Sequence, residues 1–235
     1  MILKDKVIII AGGTGGIGSV TAIKVAQEGA KVIVPYRRRD AAERLQKQAG
    51  ILANQFLMVE SDGNSVQSMD NVVSAARQKF GRVDGLANLI GGFAGGRVDE
   101  TAEALWHEQM QANLHQAFCT ARAVLPVMRQ QKYGRLVFTA SITAQSRAPG
   151  FAAYIVSKSA LIALAQIIAA ENKQHNILVH VLAPGMVNTD ANRSTISGDS
   201  SKWVQPEEIA NQAIYFLSDQ VQHTTGNVIE IPSFE

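Results

Sequence analysis

Cysteine is nearly absent. Cys119 is the only one among 235 residues, so no disulfide can form within the chain, and a reducing cytoplasm is the expected setting. Runs of like charge are missing as well. Beyond Arg37–Arg39 there is no long basic run, the formal net charge is +2 and 18% of residues are charged, which argues against nucleic acid as a partner. No apolar stretch reads as approaching the roughly eighteen residues of a membrane span. The nearest, "ALIALAQIIAA" at 160–170, is interrupted by Gln166 and closely flanked by charge, and is expected to be a buried helix rather than a membrane partner. The five histidines (107, 115, 175, 180 and 223) are scattered, with no H-E-x-x-H and no clustered carboxylates, so no metal is expected. The opening "MILKDKVIIIAGG" lacks a signal-peptide cleavage site and reads as a first strand. Internal repeats, low-complexity tracts and linkers are missing too.

What is present is a hydrophobic content of 46%, ample for one α/β domain spanning 1–235. Short β-branched runs stand at 6–10, 31–35, 55–60, 83–90, 134–140, 177–183 and 227–231. Helical patterns fill the gaps at about 16–28, 40–49, 66–79, 101–131, 152–173 and 207–217. Several strands are apolar throughout, as in a parallel sheet covered on both faces. The alternation predicts a doubly wound α/β fold with about seven strands. The segment 186–205, "MVNTDANRSTISGDSSKWVQ", is polar and aperiodic, and loops of that length in a compact domain are often functional.

The first strand leads into "AGGTGGIGSV". Gly13, Gly15 and Gly18 satisfy G-x-G-x-x-G; Gly12, Gly16 and Gly18 satisfy G-x-x-x-G-x-G, and spacing leaves both registers open. Either one allows a tight turn, close backbone approach and free N–H groups at a helix start for a pyrophosphate. The position between a strand and a helix supports a dinucleotide site. At the end of the second strand, where an acid would bind the ribose 2′-hydroxyl of NAD, stand Tyr36, Arg37 and Arg38. Guanidinium groups suit a 2′-phosphate, so NADP(H) is favoured and NAD(H) remains possible.

Residues 151–159 read "FAAYIVSKS". Tyr154 and Lys158 are four apart and share a helix face, where an ammonium would favour the ionised phenol. These landmarks resemble the short-chain dehydrogenase/reductase (SDR) family over essentially the whole length. They run in order: Gly12–Gly18, "LANLIGG" at 86–92, Asn113, Ser141 thirteen residues before Tyr154, "YIVSK", and "APGMVNT" at 183–189. The resemblance implies a Rossmann-type fold, Tyr154 as general acid in carbonyl reduction, Lys158 supporting it and binding the nicotinamide ribose, Ser141 on the substrate oxygen, and Asn113 holding a relay water. It further implies cofactor contacts at Gly12, Thr14, Gly15, Gly16, Ile17, Gly18, Tyr36, Arg37, Arg38, Asn88, Gly91, Tyr154, Lys158, Pro184, Gly185, Val187 and Thr189. Asp62 is the candidate for the adenine amino group, with Glu60 and Ser61 as alternative alignments. A homo-oligomer, dimer or tetramer, through 101–131 and 152–173 is implied as well.

Two departures stand out: "NLIG" replaces the family's common "NNAG", and "EIPSFE" lacks the terminal double glycine. The segment 186–205 is the implied substrate lid. "GGFAGG" at 91–96, Asn192, Arg193 and Trp203 resemble dihydropteridine-reductase-like members, yet Ser141 belongs to the ordinary ketone-reducing set. Phe93, Phe151, Met186 and Trp203 are candidates to line an apolar pocket. The expected function is NADP-dependent carbonyl reduction of a small molecule. The alternatives are a dihydropteridine-reductase-like or 3-oxoacyl thioester reductase activity, or a non-catalytic NADP-binding regulator.

Overall fold

Seven apolar runs form seven strands: β1 (Val7–Ala11), β2 (Lys31–Tyr36), β3 (Phe56–Glu60), β4 (Gly85–Asn88), β5 (Gly134–Thr139), β6 (Ile177–Pro184) and β7 (Asn227–Ile231). The structure is a computed structural model and describes residues 1–234. All strands pair in parallel, in the order β3-β2-β1-β4-β5-β6-β7. Every residue of β1, β4, β5 and β6 is buried, which explains why these runs are apolar rather than alternating.

Among the described residues nine α-helices flank the sheet: α1 (Gly16–Gln27), α2 (Arg39–Ala49), α3 (Val66–Phe80), α4 (Glu103–Met110), α5 (Gln116–Gln131), α6 (Thr143–Ser146), α7 (Ala152–Asn172), α8 (Asp190–Thr195) and α9 (Pro206–Leu217). One core joins α3, α5 and α7 to one sheet face through Val72, Val124, Leu161, Leu136 and Phe138. The other joins α1 and α9 to the opposite face through Val25, Ile209, Ile8 and Ile10. This is the Rossmann-type arrangement.

Three expectations change. The helical pattern at 101–131 is not continuous: a π-turn at Gln111–His115 divides α4 from α5. The strand expected at 83–90 shrinks to β4, because Asn88 accepts the Ile90 amide (3.1 Å) and turns the chain out of the sheet. The segment 186–205 is not shapeless: Val187 and Val204 pair at its base, and α8 and a 3₁₀ turn (Ser200–Lys202) lie between them.

The expectation that no stretch approaches a membrane span is also corrected. Ala152–His175 has the length and mean hydropathy (1.7) to cross one by composition alone. In the fold it packs on β6 and α4, with 44% of its apolar window buried.

His180 is fully buried in the middle of β6, its ring stacked on Phe216 of α9 at 4.2 Å. Burial, and then the Arg135 charge, lower its pKa to about 4. Between that value and the ordinary 6.5 the unfolded chain binds the proton and the folded chain does not. The histidine's contribution is therefore intact above pH 6.5 and is lost as pH falls toward 4. Urea unfolding should show a loss on the order of 2–3 kcal/mol across that window. A His180→Leu variant should lack that part of the slope.

Candidate active site

Successive connections carry the chain from β1 outward to β3, then back to β4 on the other side of β1. Such a reversal opens a crevice at the carboxyl ends of the two strands. The segments after β1, β4, β5 and β6 all open there.

The glycine loop explains itself by contact. Gly12 has φ +82°, in the left-handed region, and a Cβ there would stand 2.9 Å from the Leu89 carbonyl carbon. At Gly18 a Cβ would meet the Gly12 carbonyl oxygen at 2.0 Å. At Gly16 it would meet the Thr189 methyl at 2.9 Å. A Cβ at Gly13 would stand 2.9 Å from both the Ile10 carbonyl oxygen and the Val34 side chain, so close contacts constrain glycines of both registers. Gly15 caps α1 without a side-chain hydrogen bond, and the first turn holds no acid, so the positive helix end is open to an anion. Ile17 packs into the core beneath. A cavity of about 310 Å³ adjoins Thr14, Gly15, Gly16, Ser19, Arg44 of α2, Thr189 and Asp190.

Tyr36 closes β2, and Arg37 beyond it is exposed. Arg38 donates to both oxygens of Asp40 (3.1 and 2.7 Å), and Arg44 donates to Asp40 Oδ2 (2.7 Å). The two guanidinium groups hold that carboxyl far below its usual range. Arg44 and Asp40 are additions to the sequence reading. After β3, Asp62 is exposed and accepts the Asn64 amide at 3.0 Å, which lowers its pKa. The alternative Ser61 is buried and hydrogen-bonded to Ser68 (2.7 Å), and Glu60 ends β3 opposite Tyr36.

Tyr154 and Lys158 lie one turn apart on α7. Lys158 is buried, and its Nζ donates to the Thr139 carbonyl oxygen at 2.8 Å, its one acceptor among the described residues. Burial alone pulls its pKa down to about 8. Two of its three N–H donors stay uncommitted. Gly91 makes room for it: a Cβ there would be 2.8 Å from Lys158 Nζ and 3.0 Å from Asn113 Oδ1.

The phenol of Tyr154 departs from expectation. Burial raises its pKa above 10, and only the Ser141 hydroxyl draws it back. The Lys158 ammonium is hydrogen-bonded to the Thr139 carbonyl, and a desolvated phenolate is disfavoured. Ser141 Oγ shares a 2.9 Å hydrogen bond with Thr143 Oγ1 and accepts the Thr143 amide at 3.3 Å.

Asn113 sits inside the π-turn, where the Gln116 amide reaches five residues back to the Gln111 carbonyl. Such turns often mark functional positions. Asn113 Oδ1 accepts the Gly92 amide (2.9 Å). Its Nδ2 faces the Gly92 carbonyl (3.1 Å), Ser157 Oγ (3.0 Å) and Gln109 Oε1 (3.3 Å). This side chain clamps the loop after β4 onto α7. Ser157 in turn donates to the Tyr154 carbonyl at 2.7 Å. Sequence reasoning missed Thr139, Thr143, Ser157 and Gln109. The hydroxyls of Thr143 and Ser157, beside motif residues, were a readable signal; the buried Gln109 left none.

Asn88 is buried and serves structure: its Nδ2 donates to Thr120 Oγ1 at 2.9 Å while Oδ1 holds Ile90. Leu89 and Ile90, the departures from the family pattern, pack into opposite cores. Pro184 ends β6 and accepts the Ile142 amide, and Gly185 donates to Ile231. The Val187 carbonyl accepts from Thr189 N (2.9 Å) and Asn192 Nδ2 (2.8 Å). The Thr189 hydroxyl caps α8 by accepting the Asn192 amide (3.2 Å).

These residues fit a pyridine dinucleotide. The cradle at Gly12 and Gly18 admits backbone-close approach, the open α1 end suits a pyrophosphate, and the buried ammonium of Lys158 has two free donors for ribose hydroxyls. No group of three metal-ligating side chains exists among the described residues.

A family model described as short chain dehydrogenase matches residues 6–200. An uncharacterized oxidoreductase of Staphylococcus aureus strain MRSA252 is 29% identical over 231 residues, covering 98% of each chain. One from Staphylococcus saprophyticus is 27% identical over 241 residues, covering 98% of this chain and 97% of its own. A short-chain type dehydrogenase/reductase from Mycobacterium ulcerans superposes with a TM-score of 0.93 at 25% identity, over 99% of this chain and 90% of that one. The structure of ElxO with NADP bound superposes with a TM-score of 0.92 at 22% identity, over 97% of both chains.

Proposed function

The chain belongs to the short-chain dehydrogenase family of oxidoreductases, and from that premise we propose that it reduces a carbonyl group to an alcohol with NADPH as the preferred hydride source. The observation that supports this reading is the pairing of Ser141 with the buried Tyr154 phenol, one helical turn before a buried lysine that has unspent donors. Ser141 donates a hydrogen bond to the substrate's carbonyl oxygen. Tyr154, kept protonated by burial, delivers its proton to that oxygen as the carbonyl carbon is reduced. When bound, the reduced nicotinamide supplies the hydride. Lys158 stabilises the phenolate left behind, and its pKa near 8 suits it to pass a proton onward. Asn113 holds the loop and α7 in register around them.

Arg37 and Arg38, with no acid at the end of β2, support NADPH over NADH. ElxO, of the same fold, is NADP-bound. A second copy of the chain would cover the apolar face where Phe118 and Ile167 are exposed on α5 and α7, making a homo-oligomer.

The test is NADPH consumption by pure protein across ketones, diketones, quinones and a β-ketoacyl thioester, with NADH in parallel. NADPH should be the better donor. Replacing Arg37 and Arg38 with alanine should raise KM for NADPH about 10- to 100-fold, the worth of one to two charge-assisted bonds, and leave KM for NADH within about twofold. Arg37 should carry the larger share, because Arg38 is already engaged by Asp40. Unchanged selectivity in the double variant would overturn the cofactor assignment.

A further inference from the structure

Phe93 is a large aromatic residue left 54% exposed beside the proton donor. Its ring meets the Tyr154 ring edge-on, with centroids 5.0 Å apart at 79°, and leans on Phe151 at 5.4 Å and 37°. The loop that carries it is fastened at both ends. Gly92 is clamped by Asn113 through two hydrogen bonds (2.9 and 3.1 Å). Gly96 donates to the Gly150 carbonyl (2.7 Å) and accepts the Ala152 amide (3.1 Å) at the start of α7. Phe93 is therefore held against the helix of Tyr154 with much of its ring facing outward. No other exposed large hydrophobic among the described residues has an aromatic contact with a catalytic ring.

We propose that Phe93, backed by Phe151, is the specificity-determining platform of this site, and that the substrate is a planar aryl carbonyl compound; the proposal rests on the reductase reading. A carbonyl oxygen shared by the Ser141 and Tyr154 hydroxyls places the rest of a substrate next to the Phe93 ring. A flat conjugated group stacks there in the offset or edge-on geometry that aromatic rings prefer. A saturated ring of equal size still buries apolar surface but has no such pairing. Asn113 then does two things: it steadies the platform and anchors the helix that bears the proton donor.

The experiment compares acetophenone with cyclohexyl methyl ketone in wild type, Phe93→Leu and Phe93→Trp, by steady-state turnover with saturating NADPH. Calorimetric binding of each ketone to the NADP⁺-loaded protein is measured alongside. Wild type should prefer the aryl ketone. Phe93→Leu should lose about three- to tenfold in kcat/KM for acetophenone, mainly through KM, and stay within twofold on the saturated ketone. Phe93→Trp should retain the preference. Equal losses on both ketones, or no loss, overturn the platform. If wild type turns over neither ketone, calorimetry decides. Tighter aryl binding that Phe93→Leu removes keeps the platform and sinks the reductase reading; equal or absent binding of both ketones sinks the platform.

Discussion

Tyr154→Phe is expected to lower kcat/KM by about a thousandfold or more while leaving the NADPH dissociation constant within about twofold. The substitution removes one oxygen. The ring keeps its place against Phe93, and α7 keeps Lys158 on the Thr139 carbonyl. On the proposed mechanism, what is lost is the proton donor. A positioned general acid contributes on the order of 10² to 10⁴ in rate, and no other side chain in the site combines a proton with this position. Ser141 already shares its hydroxyl with Thr143. Absorbance assays of turnover and fluorescence titration of NADPH separate the two quantities. A variant that turns over like wild type would remove Tyr154 from the mechanism. Burial holds the phenol above its ordinary value of 10, so the acid form persists throughout the neutral range.

Gly18→Ala is expected to weaken NADPH binding by about 30-fold, close to 2 kcal/mol, and to lower the unfolding free energy by roughly 1–3 kcal/mol. A Cβ at residue 18 would stand 2.0 Å from the Gly12 oxygen, 2.7 Å from its carbonyl carbon and 2.8 Å from Gly13 Cα. All three are backbone atoms, so no rotamer relieves the overlap. Either α1 moves away from the loop or the loop lifts, and in both cases the open N–H groups leave their alignment for a pyrophosphate. Titration of NADPH and urea unfolding measure the two effects. Wild-type affinity in a folded Gly18→Ala protein would show that this close approach is not what shapes the cradle.

The amino-acid sequence by itself determined whatever depends on a short period or a neighbour a few residues away. The β-branched runs became parallel strands because two-sided burial demands apolar residues at every position. The glycine spacing was legible because a turn between a strand and a helix is a local object. Tyr154 and Lys158 could be paired because a helix brings i and i+4 together. The tertiary structure decided the rest. The π-turn around Asn113 answers to Gly92 and Ser157, 21 and 44 residues away. Asn88 is committed to Thr120, 32 residues on, so its family-implied contact with the cofactor competes with a structural duty. Lys158 donates to the Thr139 carbonyl, 19 residues before it, and burial leaves the phenol of Tyr154 above rather than below its ordinary pKa. The apolar stretch Ala152–His175 has the composition of a membrane span and becomes a packed helix only because β6 and α4 cover it. Desolvation and long-range hydrogen bonding act on each of these groups through neighbours remote in the chain, so no local pattern encodes them.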